Sequence, residues 1–203
     1  MAPRVCALTF SRNNMRWLRN LFQSQKASPA HAPTQHASVP IQPAPLLRGV
    51  KITRGGKEVT ADEVFAATNS QDLPRMLAAT RFKTNPVDRH FLLQNIVGLT
   101  YTQRKQVSAR QLCIEYARIH MAEFPSIKPH LIKDMGGQLP RVSTFQKLAT
   151  VYAEDGRFGE AISVCEQAIK LGLDDGTQSG FEGRITRIRK KQEGEQAAPR
   201  NGA

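Results

Sequence analysis

VSTFQKLATVYAEDGRFGEAISVCEQAIKLGLDD, residues 142–175, is the stretch whose reading decides the fold. Phe145, Leu148, Ala149 and Tyr152 recur at i, i+3, i+4 and i+7, the spacing of one apolar stripe on a helix. Asp155-Gly156 then interrupts the pattern, and glycine can take the left-handed conformation that ends a helix. A second stripe follows in Phe158, Ala161, Ile162, Cys165, Ala168 and Ile169. Two alanines, Ala161 and Ala168, sit where paired helices come closest, and larger residues fill the space around them. One such hairpin cannot bury its apolar face alone, so it must stack on neighbours.

The stretch resembles a tetratricopeptide repeat, a unit of about 34 residues with an aromatic, Leu-Gly, Tyr, Ala, Phe, Ala, Pro signature. Phe145 takes the Trp position, Leu148-Ala149 the Leu-Gly pair and Tyr152 the Tyr, while Ala161 and Ala168 fall on the alanines. Cys165 stands where a bulky aromatic is usual, and Leu173 where proline is. The resemblance implies an all-α fold, a short α-solenoid whose first helices line a ligand groove. At 142–175 the groove-facing residues it implies are Ser143, Gln146, Thr150, Ala153 and Glu154. A protein or peptide ligand is the implied partner. Gln146 and Thr150 carry no charge, so the lysine-and-asparagine clamp by which some members hold a terminal carboxylate is not expected here. Neutral polar groups suit an extended peptide or a helix.

Outward from this unit, Ser179-Gly180-Phe181-Glu182 has the form of a capping box. Phe181, Ile185 and Ile188 then make a thin apolar stripe, which predicts a capping helix over 179–192, with 193–203 disordered. Toward the N-terminus, Asn85-Pro86 opens a helix over 86–103, and 108–123 supplies another that Pro125 should close. These two form a degenerate repeat near 90–123. Setting Leu93 at the aromatic position places Ala109 on an alanine and matches Cys113 to Cys165; using Gly98 and Tyr101 as the Gly and Tyr is one residue out of phase. Between the hairpins lie about eighteen residues where an array needs few, with a short helix over 128–135. Segments 61–67 and 70–81, the latter capped by Ser70, predict two short helices, and no strand is expected. The helical domain is therefore 60–192, long enough for one continuous core.

Residues 1–59 read as a disordered basic tail. Residues 27–45 are mostly Ala, Pro, Ser, His, Gln and Thr, too poor in apolar surface to offset ordering entropy. Charge follows this division. Residues 1–60 hold nine basic residues and one acidic, Glu58, a balance of +8; the other 143 contribute 20 − 16 = +4 of the total +12. Arg184, Arg187, Arg189, Lys190 and Lys191 form a basic C-terminal cluster. These flanks open an alternative function, binding to nucleic acid or an anionic membrane. No recognition motif accompanies them, and an aromatic content of 6% offers no stacking platform. Self-association or a place in a larger assembly is a further partner class, because so few repeats leave open ends.

Within the tail, Met15, Trp17, Leu18, Leu21 and Phe22 share one side of a helix over 15–22, opposite Arg16 and Arg19. Three readings stand: a short interfacial helix, an organelle-targeting presequence, or a natural start at Met15. No apolar run approaches the ~20 residues of a membrane span. Three widely spaced cysteines fit a reducing compartment, so a cytoplasmic location is expected, with peripheral-membrane or organelle targeting as the alternative. Cys113 and Cys165 fall on buried stripes.

No catalytic, cofactor or metal residues are expected. His31, His36, His90, His120 and His130 are scattered, without metal-ligand spacing. Arg54-Gly55-Gly56-Lys57 lacks the first glycine and the Ser/Thr of a phosphate loop and reads as a turn. Glu154 and Asp155 are adjacent and point to different faces as solvated groups.

Overall fold

The computed structural model describes residues 49–197. The 15–22 helix, the 27–45 tether and residues 198–203 lie outside the described residues. What is described is predominantly helical: β1 (Lys51–Arg54), β2 (Lys57–Thr60), α1 (Glu63–Ser70), α2 (Leu73–Ala79), α3 (Pro86–Thr102), α4 (Val107–Asp134), α5 (Ser143–Glu154), α6 (Phe158–Lys170) and α7 (Gly180–Ala197). None of these helices is long and apolar enough to cross a membrane.

The strands correct the all-α expectation and fall inside the segment read as tail. They pair antiparallel with Arg54 opposite Lys57. Gly55 and Gly56 both have positive φ, 57° and 77°, as a two-residue hairpin turn requires. So the turn expected at 54–57 is present, and strands flank it. Alternating Ile52 and Val59 are half-buried while their neighbours face water. The hairpin is fastened to the helices through polar contacts. Arg54 donates to the buried Asp88 carboxylate at the start of α3, through Nε at 3.0 Å and Nη2 at 2.7 Å. Its guanidinium also stands 5.5 Å from the Phe65 ring centre, and the Gly55 N–H donates to Asp134 at the end of α4.

Asp88 is 3% exposed, so its charge depends on Arg54 and on the Asn85 side-chain amide. Arg54→Ala is expected to cost about 2 kcal/mol, since it leaves a buried carboxylate with only a neutral donor. Urea unfolding measures this. An unchanged midpoint would mean that the hairpin does not hold the helical body.

Two of the helix starts follow from a side chain that meets free N–H groups. Asp62 accepts from Phe65 N at 2.8 Å to open α1, and Asn85 accepts from Asp88 N at 2.9 Å to open α3, as expected. Ser70 closes α1 rather than capping the next helix; Asp72 occupies the cap position of α2. Ser179 Oγ is taken by Arg187 at 3.0 Å instead of a backbone N–H, so the expected capping box does not form. α7 nevertheless begins at Gly180 and runs to Ala197, past the expected end at 192.

The largest correction concerns α4. It is one helix of 28 residues that contains Pro125 and Pro129, where the sequence predicted a stop and a separate short helix. The two prolines lie four apart on the exposed side, so water can satisfy the carbonyls that lose a donor. On the opposite side Phe124, Ile127 and Leu131 are buried, and this burial outweighs the local penalty.

The hairpin at 142–175 folds as expected. Phe145, Leu148, Ala149, Tyr152, Phe158, Ala161, Cys165 and Ala168 are all buried in one cluster that also takes residues from α3, α4 and α7. Gly156 at φ 71° ends α5, with Arg157 N donating to Tyr152 O at 2.8 Å. At the exit of α6, Gly172 supplies the stop. Leu173 N donates to Ala168 O and Gly172 N to Ile169 O, the paired bonds that close a helix end on glycine. Leu173 itself is buried. α1 and α2 pack through Val64, Ala67, Met76 and Ala79 on the Leu92 and Ile96 side of α3.

Candidate interaction cleft

α5 presents two faces. Its apolar face enters the core; its other face carries Gln146, Thr150 and Ala153 at i, i+4 and i+7, half-buried beside α7. α7 is held there by its own thin stripe, Phe181, Ile185 and Ile188, whose burial turns the rest of that helix outward. The two helices leave a cleft of about 240 Å³ between them, with Ala149, Ala153 and Ile188 as its apolar part and Arg184, Arg187 and Lys191 on one wall.

The sequence-implied groove residues separate into two groups. Thr150, Ala153 and Glu154 line this cleft. Ser143 and Gln146 lie at the other end of α5: Ser143 Oγ accepts from Lys147 Nζ at 2.8 Å, and Gln146 accepts from Arg141 at 3.0 Å. Two hydrogen bonds stitch the two sides of the cleft, one from Arg184 and one from Lys191. Arg184 donates to Thr150 Oγ1 at 3.3 Å and to the Asp175 carboxylate at 3.0 and 3.1 Å, and Lys191 donates to Ala153 O at 2.7 Å. Asp175 has a fully buried side chain. Burial alone would raise its carboxyl, but the Thr177 hydroxyl and N–H and the Arg184 guanidinium outweigh that and hold it below the usual range.

Glu154 and Asp155 are exposed, as expected, and both are also engaged in ion pairs. Both turn to Arg110 on α4, and Glu154 also pairs with Arg104 at 2.9 Å. Burial raises the Glu154 carboxyl, and the two arginine hydrogen bonds lower it by more, so it stays ionised. The cluster of two arginines and two carboxylates is therefore internally balanced. Glu154 sits in the cleft wall with its charge already spent.

A second cleft of about 540 Å³ lies where Arg118 and Met121 of α4 face Glu160, Ser163 and Val164 of α6, over Leu148 and Tyr152. Opposite charges, Arg118 and Glu160, line it together, so it has no net preference.

The core holds one arrangement that the sequence did not disclose. His90 Nδ1 lies 2.9 Å from His120 Nε2, and His120 Nδ1 lies 2.7 Å from Thr144 Oγ1. All three residues are fully buried, among Phe91, Phe124 and Phe145. His90 Nε2 has no partner. Burial lowers His90 to about 4, and burial, then the His90 and Arg89 charges, take His120 well below its ordinary value. The chain is thus neutral at pH 7 and sealed from solvent. Among the described residues no group of three or more His, Cys, Asp or Glu is placed to hold a metal ion. Cys113 and Cys165 are buried free thiols, and burial raises both, Cys165 to about 11, which keeps them protonated and unreactive.

What the sequence reading missed at the cleft is its charge. The run at 184–191 is legible in the sequence as a basic flank, and Arg141 and Lys147 carry no local mark that joins them to it. Helical spacing carries the signal: Arg184, Arg187 and Lys191 fall at i, i+3 and i+7, on one side of α7. No family model, no curated protein and no solved structure matches the chain.

Proposed function

We propose that this chain is a non-catalytic protein-interaction module of the tetratricopeptide-repeat type, which holds a peptide or protein segment along α5. One observation supports this reading above others: six buried positions of α5–α6 have buried counterparts in α3–α4 at a fixed offset. Leu93, Ile96, Val97 and Thr100 are buried in the order of Phe145, Leu148, Ala149 and Tyr152, each 52 positions earlier (145 − 93 = 52). Ala109 and Cys113 precede Ala161 and Cys165 by the same 52 (165 − 113 = 52). This favours the alignment with Leu93 at the aromatic position. The offset exceeds the family's ~34 residues because α4 has 28 residues where α6 has 13, and a connection follows it.

Stacking of two such pairs aligns their first helices. The Gln94 side chain on α3 accepts from the Ser143 N–H at the start of α5 at 3.0 Å, and α7 follows α5 through Thr150. A row of three helices then carries the polar positions Gln94, Gln146 and Thr150, which suit a backbone held by side-chain hydrogen bonds.

Photo-crosslinking tests the reading. A benzoylphenylalanine replacing Gln146 is expected to capture a defined partner from the cells of origin, and one replacing the exposed Glu166 of α6 is not. Equal capture from both positions would remove the groove from the account. A second reading, an anionic-surface binder acting through its basic flanks, draws support from the exposed Arg189 and Lys190 of α7. Loss of binding on neutralising those two residues, with position 146 silent, would favour it.

A further inference from the structure

We propose that the α5–α7 cleft binds an acidic extended peptide segment, seating an apolar side chain on Ala149, Ala153 and Ile188 while the segment's carboxylates meet Arg187, Lys191 and Lys147. The inference rests on the interaction-module reading and specifies the chemistry of the partner.

Charge accounting carries it. Five cations border the exposed side of α5: Arg141, Lys147, Arg184, Arg187 and Lys191. Only Arg184 is neutralised at close range, by Asp175, and Lys191 has Glu195 at 3.5 Å. Glu154, the one carboxylate lining the cleft, is matched by Arg104 and Arg110. Arg141, Lys147 and Arg187 have no carboxylate partner among the described residues. Arg187 is exposed, and its one hydrogen bond is to the Ser179 hydroxyl. Lys147 is half-buried beside Gly98, where a Cβ would stand in ordinary contact, 3.5 Å from Nζ. Burial lowers Lys147, a cost that a carboxylate partner would relieve.

The shape narrows the ligand. Lys147 bonds to Ser143 at one end of the helix and Lys191 to Ala153 at the other. Ten residues of helix rise about 15 Å, the reach of roughly five residues of extended chain. The cations therefore form a line rather than a point, which fits spaced carboxylates better than a single phosphate. Cofactor-sized ligands take about 300–1,000 Å³; the cleft's 240 Å³ suits one side chain. No aromatic ring lines the cleft, so a single-stranded nucleic acid finds no stacking surface. Three of the five cations, Arg184, Arg187 and Lys191, come from α7, so the line they form can address side-chain carboxylates along a segment.

Fluorescence anisotropy on the full chain tests the proposal with three labelled probes: a short alternating glutamate–leucine peptide, its glutamine–leucine counterpart, and an oligouridine. The acidic peptide is expected to bind at least about tenfold more tightly than the neutral one. Arg187→Glu should erase that difference while leaving the melting temperature unchanged, since Arg187 is exposed. Ala153→Trp, which fills the cleft, should abolish binding of both peptides. Equal affinity for the two peptides, lost in Ala153→Trp, would overturn the acidic preference and keep the groove. Binding that neither variant alters would overturn both. Tighter binding of oligouridine, with displacement of the acidic peptide, would replace the proposal with a nucleic-acid site.

Discussion

Replacing Phe124 with alanine is expected to lower the stability of the domain by about 3–5 kcal/mol, among the largest losses a single substitution produces. Phe124 is fully buried, and its ring packs among three others: centroid distances are 5.8 Å to His120, 6.1 Å to His90 and 5.7 Å to Phe145. The surrounding rings and the long α4 backbone fix the site, so it cannot collapse to fill the void. The magnitude also discriminates between two folds of the same segment. If the helix stopped before Pro125, Phe124 would lie in a fraying last turn and its removal would cost little. The neighbouring Pro125→Ala is expected to raise stability by about 1 kcal/mol, because it restores a donor to the Met121 carbonyl on an exposed face. Urea titrations of the two variants beside the parent chain measure both; a small loss at Phe124 with a neutral Pro125 would refute a continuous α4.

The reasons for that contrast define what the sequence made legible. The 142–175 hairpin was readable because its stripes, its glycine and its small residues all agree: eight of the ten stripe positions are buried, and Ile162 and Ile169 are half-buried. α4 was misread because proline is a strong local signal, whereas the stripe Phe124, Ile127 and Leu131 that overrides it was divided between two expected helices. Long-range burial decides such cases, and it has no local mark. The hairpin at 51–60 had one: Ile52 and Val59 lie symmetrically about Gly55-Gly56, each between polar neighbours. Its basic composition and its place next to a low-complexity tether masked the pattern. The clasp that makes it stable, Arg54 on Asp88, spans 34 positions and was not readable.

At the cleft, the residues implied by family resemblance came from one helix and were neutral. The charged side arises only when α7 lies against α5, because the thin Phe181, Ile185 and Ile188 stripe sets its rotation. The cluster at 184–191 was visible as a count but not as a wall. His90 and His120 stood 30 positions apart, outside every spacing rule for paired histidines, and only the packing of α3 on α4 joins them.

That junction gives the second large effect: the domain is expected to lose stability steeply on mild acidification. His90 in the folded chain titrates at about 4, below the ~6.5 of an unfolded histidine. Between these values the unfolded chain binds a proton that the folded chain refuses, so stability rises with pH and falls as pH drops through 6.5. The full shift corresponds to about 3 kcal/mol, of which about 2 kcal/mol is lost between pH 7 and pH 5. His120, displaced in the same direction, adds to the loss. Geometry explains why the fold cannot adapt. One bridging hydrogen joins His90 Nδ1 to His120 Nε2; protonating both rings sets two N–H groups against each other with no water at hand. Asp175 and Glu154, whose carboxyls are held low, lose their contribution mainly below about pH 5, and Glu115, raised by burial, acts in the opposite direction as it takes up its proton, so the loss between pH 7 and 5 is dominated by the histidines. Replacing both partners of a buried hydrogen bond by apolar groups is close to neutral. The double variant His90→Leu, His120→Leu should therefore keep much of the stability at pH 7 and lose the slope. Urea midpoints at pH 7, 6 and 5 for the two proteins decide the matter: a slope that survives in the double variant places the acid sensitivity elsewhere.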